Sequence, residues 1–320
     1  MTYLRTIRIT QRMQLHSFVL GITIGVLAFT AGTLSLPGGT FRVVTYNLEG
    51  YLLSPVSGWK TKSDPSRAKL REALISLRPD VLALQEVGGR EALTQIQREL
   101  KDSGIDLPYA ELAAGHDRVI QVALLSRFPI SGSHSATNES FLLHGRRHFT
   151  SRGILDVELA VESGYTLNVL VAHLKSRRQT GNEDQAAVRL EEAKLLREII
   201  DRHLEQTPNN LLIVAGDFND SKNSAPLKTL VSRGGNRLVD LHPAERTLGG
   251  VANPTPNERE ITWTHYYGVE DSYTRIDYIL CTPGMARQWL RDQSYVLAFP
   301  GWGEASDHRP VAAVFDTGTH

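Results

Sequence analysis

The chain has 320 residues, 41% of them hydrophobic, which suffices for one large globular core or at most two domains. Its formal charge is zero, and once Arg5, Arg8 and Arg12 are set aside the remainder carries 32 basic against 35 acidic residues. That excludes the broad positive field behind non-specific duplex binding, so an anionic substrate needs a local basic patch or a metal.

In chain order, the three arginines precede an apolar stretch over 18–36, and no charged side chain falls between Arg12 and Arg42. Pro37-Gly38-Gly39 then breaks the segment. This is the layout of a secretory signal, and the stretch is nearly long enough to span a bilayer. Residues 1–39 are therefore expected to be a signal peptide or N-terminal anchor that tethers through 18–36. A domain over 40–320 follows, placed outside the cytoplasm as a periplasmic, secreted or membrane-anchored protein.

The domain opens with a strand over 41–47. Asp64-Pro65 is a helix-start signal for a helix over 66–77, which Pro79 stops. A strand over 81–84 and a helix over 91–100 follow. Further strands are predicted over 119–125, 130–135, 153–161 and 166–172. The longest helix covers 183–204, with Leu190, Ala193, Leu196 and Ile200 as its buried stripe. Strands over 211–215, 261–264, 275–280 and 311–315 close the chain. The stretches 49–63 and 236–260 read as surface loops. Strands and helices mixed without strict alternation suggest two packed sheets with helices outside. The single cysteine, Cys281, excludes an internal disulfide and follows an apolar strand, so it reads as a small core hydrophobe.

Chemistry-bearing residues gather where the apolar runs end: Thr45-Tyr46-Asn47-Leu48-Glu49, Leu84-Gln85-Glu86, Ala172-His173-Leu174-Lys175, Gly216-Asp217-Phe218-Asn219-Asp220, Arg275-Ile276-Asp277-Tyr278 and Ser306-Asp307-His308-Arg309. Carboxylates, amides and imidazoles are costly beside a core unless they meet partners. Brought together, they make a hard-cation site with acid/base groups beside it. No Gly-x-Ser-x-Gly, Walker-type or Gly-x-Gly-x-x-Gly sequence offers another chemistry.

In order and type these islands resemble the endonuclease/exonuclease/phosphatase superfamily, over about 41–315. The resemblance implies a DNase I-like four-layer α/β sandwich, two mixed β-sheets flanked by helices, with the site at one edge. It implies a Mg²⁺-dependent hydrolase of phosphate esters, with Mn²⁺ or Ca²⁺ as substitutes. Glu86 matches the metal-binding glutamate and Asn47 the asparagine of the first strand, and Asp307 completes the metal side. Glu49 departs from the residues other members carry. At strand period it faces the same way as Asn47, which makes it a candidate for a second or shifted metal position. Asp217 takes the role of orienting or deprotonating the attacking water, and Asn219 that of binding a phosphoryl oxygen. Asp277 orients His308 and favours its protonated ring, which contacts the scissile phosphate. His173 donates to a phosphate oxygen or protonates the leaving group. Arg152 resembles a phosphate-contacting arginine. With Arg146, Arg147, Lys175, Arg177 and Arg178 it forms two basic clusters flanking the acidic centre. The expectation is a monomeric, exported phosphodiesterase acting on nucleic acid rather than lipid. A sphingomyelinase-like or phosphoinositide-directed enzyme is the second reading, and an inactive binding module on the same fold a third.

Overall fold

The computed structural model describes residues 39–56, 58–178, 184–206, 210–232, 234–247 and 262–318, all within one compact unit. Apart from Gly39, the expected leader lies outside the described residues. Among the described residues no helix is long and apolar enough to cross a membrane.

Two sheets form the centre. The larger has 7 strands. From edge to edge they are Ala244–Thr247 (β12), Tyr295–Ala298 (β16), Val311–Asp316 (β17), Thr40–Tyr51 (β1), Val81–Val87 (β2), Gln121–Ser126 (β4) and Tyr109–Ala113 (β3). The smaller has 6 strands: Val239–Leu241 (β11), Asp277–Cys281 (β15), Leu212–Asp217 (β10), Tyr165–His173 (β9), Leu155–Glu162 (β8) and Ile130–Ser133 (β5). β1 and β2 run parallel, as do β9 and β10, so each sheet has a pair of neighbouring strands ending on the same side.

The central strands are apolar on both faces because both faces are covered. Val43, Val81 and Leu124 meet Val169, Val171 and Ile213 between the sheets. Their alternates Val44, Leu82 and Leu125 pack under helices Asp64–Leu77 (α1) and Arg90–Asp102 (α2). Leu170, Leu212 and Val214 pack under Gln185–Gln206 (α3) and Ala225–Val231 (α4). Helix, sheet, sheet, helix is the four-layer sandwich expected. Two short helices, Pro283–Arg287 (α5) and Trp302–Ala305 (α6), complete the set. Cys281 is buried in the central core, and burial pushes its thiol pKa up.

Local signals explain most boundaries. Ser63, not Asp64, caps α1, accepting the N–H of Ser66, while Asp64 in the first turn meets the positive helix end. Arg78, at φ 46°, closes the helix ahead of Pro79. On α3 the stripe holds Ala193, Leu196 and Ile200 as predicted, but Leu190 lies half-buried on the flank while Arg189 and Glu192 are buried. The strand predicted over 261–264 does not form in its described part, 262–264. Thr264 instead turns its hydroxyl to accept the N–H groups of Ile276 and Asp277. Strand begins one residue later, in a hairpin of His265–Tyr267 (β13) and Ser272–Thr274 (β14). A second hairpin, Ser140–Leu143 (β6) with Arg146–Phe149 (β7), also stands outside the two sheets.

Gly216 sets the spacing at the end of β10. Its φ is 147°, and a Cβ there would lie 1.9 Å from the carbonyl oxygen of Ala172 on β9. Gly216→Ala is expected to cost on the order of 3 kcal/mol, from backbone strain plus a clash with a rigid neighbour. Urea unfolding checks this; a midpoint equal to wild type would show that β9 and β10 can part without loss.

Candidate active site

At one edge the ends of β1 and β2 meet those of β9 and β10. Asn47 ties the sheets together: its Nδ2 donates to Asp217 Oδ2 at 3.0 Å, and its Oδ1 accepts the N–H of Glu49 at 3.0 Å. Asp217 sits in register with His173 on β9 and Asp277 on β15, so three functional side chains share one row of the smaller sheet. Asn219, at φ 52°, folds back. Its backbone N donates to Asp217 Oδ1 at 2.8 Å, and its Nδ2 donates to Asp217 Oδ2 at 3.2 Å and to the carbonyl of Leu174 at 3.0 Å. This is an Asx turn that also fixes both carboxylate oxygens of Asp217. The amide hydrogens of Asn219 are thereby committed to the protein.

In the segment between α6 and β17, Ser306 Oγ donates to the carbonyl of Asn47 at 2.8 Å and accepts the N–H of His308 at 3.1 Å, so the last island is fastened to the first. His308 Nδ1 lies 2.9 Å from Asp277 Oδ2, and its Nε2 lies 3.7 Å from Asp217 Oδ2. His173 Nε2 approaches the same Asp217 oxygen to 3.4 Å and Glu86 Oε1 to 4.0 Å. Glu86 is held by a break in β2, where its φ of 62° accompanies a register shift against β4. Its neighbour Gln85 stays internal, donating to Thr45 Oγ1 at 3.1 Å.

The electrostatics separate the two imidazoles. Burial works against a charged His308, but Asp277 and Asp217 outweigh it and hold its pKa well above 6.5. Burial, reinforced by the charges of Arg152 and His308, pushes His173 well below 6.5. One ring is thus cationic and the other neutral near pH 7. Burial also raises the carboxyl pKa of Asp217, with the charge of Asp277 adding to it. Glu86 is raised by burial too, against the pull of Arg152 and His308. For Asp307, burial is overcome by His265 and His308, and its pKa falls.

This donor set suits a divalent cation. Glu86 and Asp307 are close enough to feel each other's charge, and Asn47 stands beside them on β1. Carboxylates and an amide oxygen are hard ligands of the kind Mg²⁺ takes, and a cation would relieve the repulsion between the acids. Among the described residues two groups bring metal-competent atoms within 4.8 Å of one another: His265, Asp307 and His308, and Asp217, Asp277 and His308. Glu49 stands apart from these. Its φ of 49° breaks the strand alternation that would align it with Asn47, and its carboxylate lies 3.2 Å from Lys62 Nζ.

The basic residues divide. Arg152 lies near enough to Glu86 and His173 to shift both. Lys175 is half-buried, with its backbone N donating to Glu192 at 2.6 Å. Arg177 braces the loop after β10: Nε donates to the carbonyl of Asn219 at 2.9 Å and Nη2 to Asp220 Oδ1 at 3.0 Å. Arg146 and Arg147 are exposed on the hairpin of β6 and β7. Sequence reasoning passed over His265, whose Nε2 lies 3.7 Å from Asp307, and Lys62 and Glu192. His265 follows Trp263-Thr264, which form no strand, and carries no spacing signal.

The endonuclease/exonuclease/phosphatase family model matches residues 44–308. No curated protein sequence matches the chain. Among solved structures, sphingomyelinase C from Streptomyces griseocarneus superposes with a TM-score of 0.58 at 19% identity, covering 87% of this chain and 99% of its own. The human Nocturnin catalytic domain, with a bound sulfate anion, gives 0.60 at 19% identity, covering 87% of this chain and 94% of its own. Truncated TDP2 from Caenorhabditis elegans gives 0.55 at 17% identity, covering 88% and 100%. With the matching fold and a family match that reaches every one of the six islands, the chain belongs to the endonuclease/exonuclease/phosphatase family, whose members hydrolyse phosphate esters.

Proposed function

We propose that the chain is a Mg²⁺-dependent phosphodiesterase, with a polynucleotide backbone as its leading substrate class. The observation that carries this is the convergence of His173 Nε2 and His308 Nε2 on Asp217 Oδ2, at 3.4 and 3.7 Å, beside the half-buried carboxylate of Glu86. A metal at Glu86, Asp307 and Asn47 would neutralise phosphate charge. The chain's own groups do the rest. Asp217, with its raised proton affinity, orients a water and takes its proton as the water oxygen bonds to phosphorus. His308, kept cationic by Asp277, sets a charged N–H against a phosphoryl oxygen as the ester bond breaks. His173, neutral, donates to the departing or equatorial oxygen. Asn219 orients Asp217.

The test is hydrolysis of single-stranded DNA, duplex DNA, RNA, sphingomyelin vesicles and bis-p-nitrophenyl phosphate, each with Mg²⁺, Mn²⁺, Ca²⁺ or EDTA. Turnover of none, or turnover undiminished in EDTA, would sink the reading.

Arg146→Ala with Arg147→Ala is expected to raise KM for long nucleic acid severalfold, to flatten its salt dependence by about one phosphate contact per arginine, and to leave bis-p-nitrophenyl phosphate unaffected. Arg177 is kept out of that variant because it braces Asn219. An equal loss on both substrates would assign the pair to the fold.

The lipid reading is favoured by one observation. The hairpin of β13 and β14 joins the site through Tyr266 N, which donates to the Asp307 carbonyl at 3.0 Å. It carries Tyr266 and Tyr273 against Trp263 and Trp302, with Val269 at the turn 82% exposed. Turnover of sphingomyelin vesicles above that of nucleic acid would move the assignment there.

A further inference from the structure

We propose that Glu192, on α3 and away from every strand end, is a positioning residue whose carboxylate fixes Arg152 and the segment after His173 relative to Glu86. What the site does rests on the phosphodiesterase reading; where Glu192 acts rests on geometry alone. Glu192 is 3% exposed. Its Oε1 accepts the backbone N–H of Ser151 at 3.0 Å and its Oε2 that of Lys175 at 2.6 Å. Ser151 precedes Arg152, and Lys175 follows His173 by two residues. Neither N–H has a strand partner, because β8 begins only at Leu155 and β9 ends at His173. One carboxylate therefore joins two loops at N–H groups that no sheet hydrogen bond takes up, and charge-assisted bonds of this kind are the strong ones.

Each loop is gripped from a second direction. Gly115 packs so closely that a Cβ there would lie 2.5 Å from Arg152 Cα, and the N–H of Asp117 donates to the Ser151 carbonyl at 2.8 Å. Arg189, one turn before Glu192, donates to the Lys175 carbonyl at 3.2 Å and to Asp220 Oδ2 at 3.0 Å. Arg152 is thus clamped between Glu192 and the Gly115 turn, and Lys175 is fixed at both its N–H and its carbonyl by α3. Docking of the helix does not need Glu192, since Ala193, Leu196, Ile199 and Ile200 supply the apolar contact. What an apolar residue could not supply is two acceptors in one plane. Glutamine keeps the volume but only one acceptor, so one of the two N–H groups would face an amide NH₂.

The test uses the full chain as Glu192→Gln, Glu192→Ala, Arg152→Ala and the Glu192→Gln/Arg152→Ala double variant. Measured are kcat and KM on bis-p-nitrophenyl phosphate with Mg²⁺, Tm, and hydrogen exchange over 150–153 and 173–178. Glu192→Gln is expected to lower kcat about 10- to 100-fold, the effect of a small misplacement, without a matching fall in Tm. Exchange should quicken in those two segments alone. The double variant should lose less than the product of the single losses, because part of the effect of Glu192 runs through Arg152 and the rest through the segment after His173. Wild-type kcat with unchanged exchange, additive losses, or protection lost throughout the protein would each overturn the proposal. If the wild type turns over no phosphodiester, the functional reading fails and exchange still decides: selective loss in the two segments upholds the positioning role, and unchanged protection overturns it.

Discussion

Glu86→Gln is expected to abolish hydrolysis and leave the fold intact. The side chain keeps its size at a half-buried position that the break in β2 holds in a left-handed conformation, so no repacking follows. Only the charge goes, and with it the carboxylate best placed to anchor a divalent ion. Loss of that ion removes several kcal/mol of transition-state charge stabilisation, on the order of 10³-fold or more in kcat. Stability should move the other way. Burial already disfavours the ionised form of Glu86, and Asp307 adds repulsion, so the metal-free variant should melt no lower than metal-free wild type. Added Mg²⁺ should then raise the Tm of wild type only. Activity within tenfold of wild type, or a Mg²⁺-dependent Tm that survives the substitution, would move the ion elsewhere.

The second large effect falls on the Asp277–His308 pair. His308→Ala should cost more than about 10²-fold in kcat, a typical magnitude for a charged group aimed at a phosphoryl oxygen. Asp277→Asn should cost nearly as much, because its carboxylate is what holds the imidazolium against burial, through a contact of 2.9 Å. Acting through one ring, the two losses should not add. Steady-state kinetics of the two single variants and the double variant check this. If the double loss equals the product of the single ones, the Asp277 carboxylate acts independently of the His308 ring.

Much of this was legible because two-sided burial makes the central strands continuous apolar runs, and polar residues at either end of such runs stand out. Asn47, Glu86, His173, Asp217, Asp277 and His308 are all found by that contrast, and the structure brings them to one edge. What stayed hidden depends on contacts distant in sequence or on backbone that breaks its own period. Glu49 should face with Asn47 by alternation, but a positive φ turns its carboxylate to Lys62. Arg177 reads as a free cation until Asp220 is seen beside it. Glu192 looks like one more charge on a long helix, since its partners are N–H groups of two loops with no local pattern. The strands of three or four residues at the sheet edges and in the hairpins are too short to show a period at all, which is why 261–264 was misplaced.

The pairing of β1 with β17 has a practical consequence. Thr40 lies opposite Asp316, so the chain enters and leaves the domain at adjacent points. Both are at the far end of β1 from Asn47, roughly 20 Å away at the rise of an extended strand. A linker, affinity tag or surface attachment joined at either end is therefore anchored on the rear of the molecule. Immobilised at these points, the domain would present the edge that carries the candidate site to the bulk, open to a substrate as large as a polymer or a vesicle.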